Sequence, residues 1–361
     1  MLSVFCAPSR YVQGRDATAQ LGEQMTKAGL KGPAFLLASA RMQDELNDAW
    51  ATSLAAAGFD YEIGSFGGEC SDAEIDAGTR EAEQARAQVV IGAGGGKALD
   101  TARAVAANLN LPIVNCPTLA SSDAPCSALS VVYNDDGSVD RYIFYPRNPE
   151  LVLVDTSVIA RAPRRHLVSG MGDALATWFE ARTVIEACQP NQVHGGTTIS
   201  ARALALLCYE TLLADGVDAA KAVDANAVTP ALERLVEANT LLSGLGFESG
   251  GLAIAHSVHN GLTTIAATHS FMHGEKVAFG LLVQLIVEGR PASEINEVLA
   301  FCNAVGLPTS MADLGVADPT DEQLRSIAER TVAEGETAHH EPFDVTAELI
   351  FDGLKAANSY S

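Results

Sequence analysis

The chain of 361 residues contains no run of about 18 uncharged apolar residues, the length needed to cross a bilayer as a helix, so a membrane-spanning role is not expected. Its first residues, MLSVFCAPSRYVQG, have neither the basic region nor the apolar stretch of a secretion signal, which implies a cytoplasmic protein. No CxxC pair occurs. The seven cysteines (6, 70, 116, 126, 188, 208 and 302) are odd in number and scattered, which speaks against a disulfide framework and against a structural zinc knuckle. Basic residues are scarce: 23 Lys and Arg stand against 45 Asp and Glu, a net charge of -22. Nucleic acids and acidic membranes need clustered positive charge, so neither is an expected partner. Tandem repeats and low-complexity tracts are also lacking. An apolar fraction of 48% over this length nevertheless supplies core for two packed domains.

Within residues 1–162, short apolar runs alternate with amphipathic segments. The runs are PAFLLAS (33–39), FDYEIGSFGG (59–68), AQVVIGAGGG (87–96), LPIVNCP (111–117) and LVLVD (151–155), with helical spacing near 42–57, 71–86 and 97–109 between them. Such alternation implies right-handed βαβ crossovers and a mainly parallel sheet, that is, a Rossmann-like α/β domain. Ser71 is positioned to cap a helix whose first turn is acidic. From residue 163 to 361 the pattern changes to long Ala- and Leu-rich helical segments such as GDALATWFEARTVIEA, so an all-α second domain is expected.

The segment IGAGGGKALD (91–100) places three glycines between a strand and a helix. It lacks the GxxxxGK[ST] pattern, since Ile91 and Ala98 stand at two of its defining positions, and it also fails the GxGxxG fingerprint at Lys97. Gly94, Gly95 and Gly96 still let the backbone approach a ligand, and the following helix start offers unpaired N–H groups to an anion. Lys97 and Asp100 add polar groups at the same mouth, and a pyrophosphate is the expected guest. After the next strand, PTLASSDAPCSALSVVY (117–133) offers Thr118, Ser121, Ser122, Asp123 and Ser127 with no helical apolar stripe, as suits a loop lining a ligand cleft.

A metal is suggested by the second half. Asp173 lies in SGMGDALATWFEA, and His256, His259, His269 and His273 are four of the chain's eight histidines. One carboxylate with two imidazoles would suit zinc or another borderline divalent ion and leave positions open for substrate. Spacing alone does not say which two histidines would bind.

The stretches GGGKALDTARA, PTLASSDAPCSALSVVY, GMGDALATWFEAR, VTPALERLVEANTLLSGLGFESGGLAIAHSVHNGL and HGEKVAFG closely resemble the bacterial glycerol dehydrogenases, zinc-dependent members of the iron-containing alcohol dehydrogenase superfamily. The resemblance runs to about residue 340. It implies an N-terminal nucleotide-binding domain, a helical C-terminal domain with the active site in a cleft between them, and a homo-oligomer, often an octamer. It implies Asp173, His256 and His273 as zinc ligands, with Fe2+ or Mn2+ as alternatives. It further implies that Gly94, Gly95, Gly96, Lys97 and Asp100 face the pyrophosphate and nicotinamide, that Thr118, Ser121, Ser127, Leu129 and Tyr133 line the cofactor, and that Asp123 meets the substrate hydroxyls. Iron-dependent relatives carry a further histidine four residues after the aspartate; Thr177 stands there in this chain.

One departure concerns the cofactor. The NAD-dependent pattern has an Asp after the second strand, where its carboxylate holds the adenosine ribose and repels a 2′-phosphate. Here LLASARMQ places Ser39 at that position and Arg41 two residues on. NAD(H) is expected, with NADP(H) admitted through Ser39 and Arg41. The resemblance thus implies oxidation of glycerol or a related vicinal diol to the hydroxyketone, with a divalent cation easing loss of the alcohol proton and nicotinamide taking the hydride. The alternatives are a related alcohol or polyol dehydrogenase with NADP preference, a zinc- and NAD-dependent lyase of the dehydroquinate synthase type, and a nucleotide- or metal-binding regulator without turnover.

Overall fold

The computed structural model describes residues 1–134 and 138–360. Eight strands form in its first part: β1 (Tyr11–Gly14), β2 (Ala34–Ala38), β3 (Tyr61–Ser65), β4 (Val89–Gly94), β5 (Ile113–Pro117), β6 (Leu129–Tyr133), β7 (Val139–Phe144) and β8 (Leu151–Asp155). Helices α1 (Leu21–Lys27), α2 (Ala40–Ala56), α3 (Asp72–Gln84), α4 (Gly96–Asn108) and α5 (Thr156–Ala160) connect or follow them. Six strands make one parallel sheet in the order β1-β8-β5-β4-β2-β3, while β6 and β7 pair as a separate antiparallel hairpin.

Period-two alternation explains how this sheet is filled. Leu36, Ile91, Val114 and Leu153 face one side and pack with Leu21, Met25, Trp50 and Leu54 of α1 and α2. Phe35, Leu37, Val90 and Ile113 face the other side, against Ala82 and Val105 of α3 and α4. With both faces covered, β2, β4, β5 and β8 are buried throughout, and their sequences read as continuous apolar runs. Ser71 caps α3 as expected, its Oγ accepting the Glu74 N–H at 3.4 Å.

The order of the strands locates the ligand-binding edge. From β2 the chain winds outward to β3, then returns past β2 to β4 and continues to β5. Winding therefore reverses between β2 and β4. At such a switch point the loops after the two strands part, and open α/β sheets take their ligands there. Ser39 follows β2 and the glycine run follows β4, so both lie at this edge.

After residue 163 the described chain is helical: α6 (Arg164–Glu186), α7 (Ile199–Asp224), α8 (Pro230–Glu237), α9 (Ser243–Gly250), α10 (Ile254–Leu262), α11 (His273–Val287), α12 (Ala292–Val305), α13 (Asp321–Thr331) and α14 (Ala347–Ala357). The α/β part followed by an all-α part is thus the architecture the chain forms. Its compact units are not simple halves, however. Residues 7–163 and 222–241 make the sheet unit, and residues 1–6, 164–221 and 242–361 make the helical unit. In the helical unit Ile254, Val258 and Leu262 of α10 pack with Phe279 and Val283 of α11, Ile327 of α13 and Ile350 and Leu354 of α14. Their spacing of three and four residues is the apolar stripe of packed helices.

Candidate metal centre and dinucleotide site

Close helix contacts build the centre in the helical unit. A Cβ on Gly274 would lie 1.8 Å from the Ser169 carbonyl oxygen of α6, and one on Gly172 would lie 2.2 Å from the Gly274 oxygen. Only hydrogen at both positions lets α6 and α11 meet this closely. The neighbours of these two glycines are Asp173 and His273, which are thereby brought together. A third glycine, Gly280, admits α10 in the same way, since its Cβ would meet the Ala255 oxygen at 2.4 Å, next to His256.

The three side chains converge. Asp173 Oδ1 is 3.0 Å from His273 Nε2 and 3.3 Å from His256 Nε2, and one donor atom from each residue falls within a 4.8 Å cluster. Asp173 is fully buried, and the two imidazoles are partly exposed. Burial alone would raise the Asp173 carboxyl, but the charge of His273 and hydrogen bonds from both rings override it and hold it far below the ordinary range. Burial likewise opposes charge on His256, yet Glu180 and Asp173 raise it well above the ordinary imidazole value. Two nitrogens and one anionic oxygen, facing one another around a buried carboxylate, are a donor set that fits a borderline divalent cation.

The other histidines are arranged behind this group. Glu336 accepts hydrogen bonds from Asn260 Nδ2 at 3.0 and 3.2 Å, which assigns Asn260 Oδ1 as the acceptor for His259 Nδ1–H at 3.2 Å. His259 Nε2 then accepts the proton of His273 Nδ1 at 3.0 Å, so that His273 Nε2, 3.0 Å from Asp173 Oδ1, is the nitrogen that would face a cation. Burial, then the charges of His273 and Lys276, push His259 well below the ordinary value, in keeping with a neutral ring. His269 is exposed, its Nε2 on the Thr263 carbonyl at 2.8 Å. Thr177 does not join the group, because its hydroxyl pairs with Ser243 Oγ at 2.8 Å.

In the sheet unit the glycine turn and the hydroxyl-rich loop are joined. The Thr118 N–H donates to the Gly94 oxygen at 2.9 Å, a Cβ on Gly95 would meet Leu119 at 3.1 Å, and one on Gly96 would meet Ser122 Oγ at 3.2 Å. Gly95 is the N-cap of α4 and supplies no side chain to the first N–H groups, which suits an anion. Lys97 is exposed there, with Nζ 2.6 Å from Glu69 Oε2 and 4.7 Å from the centre of the Tyr133 ring. Leu129 and Tyr133 are the ends of β6, not loop residues. Asp123 is buried in the loop, Ser121 is half-buried, and Ser127 Oγ donates to the Ala124 oxygen at 3.3 Å.

Asp100 does not face outward with Lys97. It is buried, and its two carboxylate oxygens accept from Arg103 Nη1 at 2.7 Å and the Val131 N–H at 3.1 Å. Arg103 in turn donates to the carbonyls of Ala124, at 2.6 Å, and Leu129. Asn115, Asn148 and Asn239 bind the carbonyls of Pro125, Cys126 and Ala120 at 2.8, 3.0 and 3.0 Å. The loop that carries Asp123 is therefore pinned from behind by a buried ion pair and three amides. Removing one member of such a pair costs about 3–5 kcal/mol, because the other charge is left alone.

Ser39 is the half-buried N-cap of α2, and Arg41 is exposed in its first turn. Ala38 pairs in register with Ala93, one residue before Gly94. Gln43 donates to the Ala38 oxygen at 2.9 Å, so uncharged groups occupy the end of β2. Sequence spacing gave no sign of Glu180, Arg103 or Glu69, which act through contacts distant in the chain.

Comparison with known proteins follows the same lines. Residues 8–156 match the family model described as iron-containing alcohol dehydrogenase. A glycerol dehydrogenase of Thermotoga maritima is 49% identical over 361 residues, covering 100% of this chain and 98% of the relative. A glycolaldehyde reductase of Halobacterium salinarum is 47% identical over 99% of this chain and 98% of its own length. The crystal structure of glycerol dehydrogenase from Schizosaccharomyces pombe superposes with a TM-score of 0.95 at 40% identity, covering 99% of this chain and 91% of that one.

Proposed function

The chain belongs to the iron-containing alcohol dehydrogenase family, and on that premise we propose that it oxidises glycerol or a closely related vicinal diol to the hydroxyketone, and reduces the ketone in reverse. The observation that carries this reading is the convergence of Asp173, His256 and His273 in a chain 49% identical to a glycerol dehydrogenase. When bound, a divalent cation supplies Lewis acidity that makes an alcohol proton easier to lose near neutral pH. Nicotinamide supplies the hydride acceptor.

The chain's own groups do the rest. Asp173, His256 and His273 hold the cation, with zinc favoured over Fe2+ or Mn2+ because Thr177, tied to Ser243, gives no fourth protein donor. Gly94, Gly95 and Gly96 bring backbone N–H groups to the pyrophosphate, and Lys97 exchanges Glu69 for a phosphate oxygen. Thr118, Ser121, Ser127, Leu129 and Tyr133 line the dinucleotide. Asp123 accepts a hydrogen bond from a second hydroxyl and so favours diols. Asp100 acts behind them, through Arg103, to keep the loop in place. Without a carboxylate at Ser39, NADP(H) is admitted beside NAD(H), and Arg41 pairs with the extra phosphate.

A homo-oligomer also fits. Met1, Leu2 and Ile199 are 78%, 85% and 89% exposed, and the Leu2 oxygen accepts the Gly196 N–H near the start of α7. Large apolar side chains exposed on neighbouring segments suit a surface for association. No helix among the described residues is long and apolar enough to cross a membrane, in keeping with a cytoplasmic enzyme of small polyols. The lyase alternative has no comparable support, because its phosphorylated substrate calls for basic groups where this chain has Asp123.

The test follows cofactor absorbance with glycerol and with NAD+ or NADP+, before and after chelation, in the wild type and in Asp173→Ala. Reduction of either cofactor that needs the metal and is lost in Asp173→Ala is expected. Full turnover in the metal-free protein, or none with any polyol, would overturn the reading.

A further inference from the structure

We infer that Glu180 is a positioning residue, fixing the proton of His256 on Nδ1 and so presenting Nε2 to a cation. This rests on Asp173, His256 and His273 being the cation ligands. Glu180 lies seven residues after Asp173 on α6, two helical turns along the same face, and both side chains are fully buried. A carboxylate without solvent must take all its hydrogen bonds from the protein.

Its two oxygens have different tasks. Oε1 accepts the backbone N–H groups of Ala253 at 2.9 Å and His256 at 3.1 Å, at the start of α10. Ala253 is the N-cap of that helix and has no side chain able to accept, so Glu180 satisfies donors that would otherwise be left alone. Oε2 is 2.6 Å from His256 Nδ1. An ionised carboxylate only accepts, so the ring must place its hydrogen on Nδ1. In the neutral ring that would bind a cation, Nε2, 3.3 Å from Asp173 Oδ1, is then the nitrogen that offers its lone pair. His273 is backed differently, by the neutral ring of His259, so Glu180 places a formal charge directly behind one ligand ring and raises its basicity.

The substitution Glu180→Gln separates this role from simple support. Two backbone donors hold the amide oxygen at the Oε1 position, so helix capping survives. The amide nitrogen must then face Nδ1, and this demands the opposite tautomer, with hydrogen on Nε2. Zinc affinity, measured on chelator-treated protein against a chromophoric competitor, is expected to fall about 10–100-fold in Glu180→Gln. The melting temperature of the metal-free protein should stay unchanged. Unaltered zinc affinity in a folded Glu180→Gln would overturn the inference. Asp173→Ala distinguishes the premise: a wild type that takes up no zinc, or takes it up equally in Asp173→Ala, defeats both. Should Glu180→Gln not fold, the cobalt-loaded wild type decides, by proton resonances of the ligand imidazoles. A solvent-exchangeable Nδ1–H signal from His256 supports the inference, and metal coordination through Nδ1 overturns it.

Discussion

Glu341 is a carboxyl group buried in the helical unit with neither oxygen hydrogen-bonded. Burial, followed by the negative charges of Glu288 and Glu180, pushes its pKa up to about 9, against the partial relief of Arg290. A group raised in the folded state contributes stability that is complete below its unfolded value, about 4.3. That contribution drains away as pH rises, because the unfolded chain ionises while the folded chain keeps its proton, until the folded value is passed. Glu341→Gln, neutral at every pH, is therefore expected to gain on the wild type as pH rises, melting above it near pH 8.5 and coming closest to it near pH 4. Equal offsets at the two pH values would contradict this assignment. At this scale the sequence was informative for groups that announce themselves by type. Asp173 and the histidine cluster were visible as candidates, although spacing did not separate His256 and His273 from His259 and His269, and that choice came from the family resemblance. Glu180 and Arg103 were not visible, since an acidic or basic residue within a helix pattern is ordinarily a solvated one. Asp100 shows the same limit, being polar in sequence but turned inward to Arg103.

Helix α11 begins at the centre and is held there by glycine contacts. Gly274→Ala would place a methyl group inside the Ser169 carbonyl, so α6 and α11 must separate. Overpacking of this kind costs roughly 1–3 kcal/mol. The expected outcome is a lower melting temperature together with loss of zinc affinity, since Asp173 and His273 are neighbours of the contact. A variant that is destabilised but binds zinc as before would show that the crossing does not set the centre. Strands β2, β4, β5 and β8 were legible because buried parallel strands carry continuous apolar runs bounded by turn residues, and the edge strand β3, YEIGS, from its place between a helical segment and a Gly-rich turn. β1 was not: YVQG is four half-buried residues at a sheet edge. In sequence β6 reads as part of a loop, because LSVVY follows a long run of small polar residues and becomes a strand only by pairing with β7.

For the whole molecule, the two-part plan was legible from the change in periodicity near residue 163. The return of residues 222–241 to the sheet unit was not, because α8 is one more helical segment in a helical stretch and only contacts show where it packs. The apolar group around Met1, Leu2 and Ile199 leads to a prediction about assembly. Ile199→Glu should shift the protein to a smaller species in sedimentation, with the fold retained by circular dichroism. An unchanged mass, or a wild type that already sediments as a monomer, would overturn the proposed association through this surface.

The interleaving of segments has a further consequence for biosynthesis. On the ribosome, the unit that holds the parallel sheet lacks its last portion of chain until residue 241 has emerged, and the first six residues await helices made much later. Strict vectorial folding from N- to C-terminus is closed to this polypeptide. Nascent chains arrested before that point would present unfinished apolar surface, and these are the species that chaperones should engage.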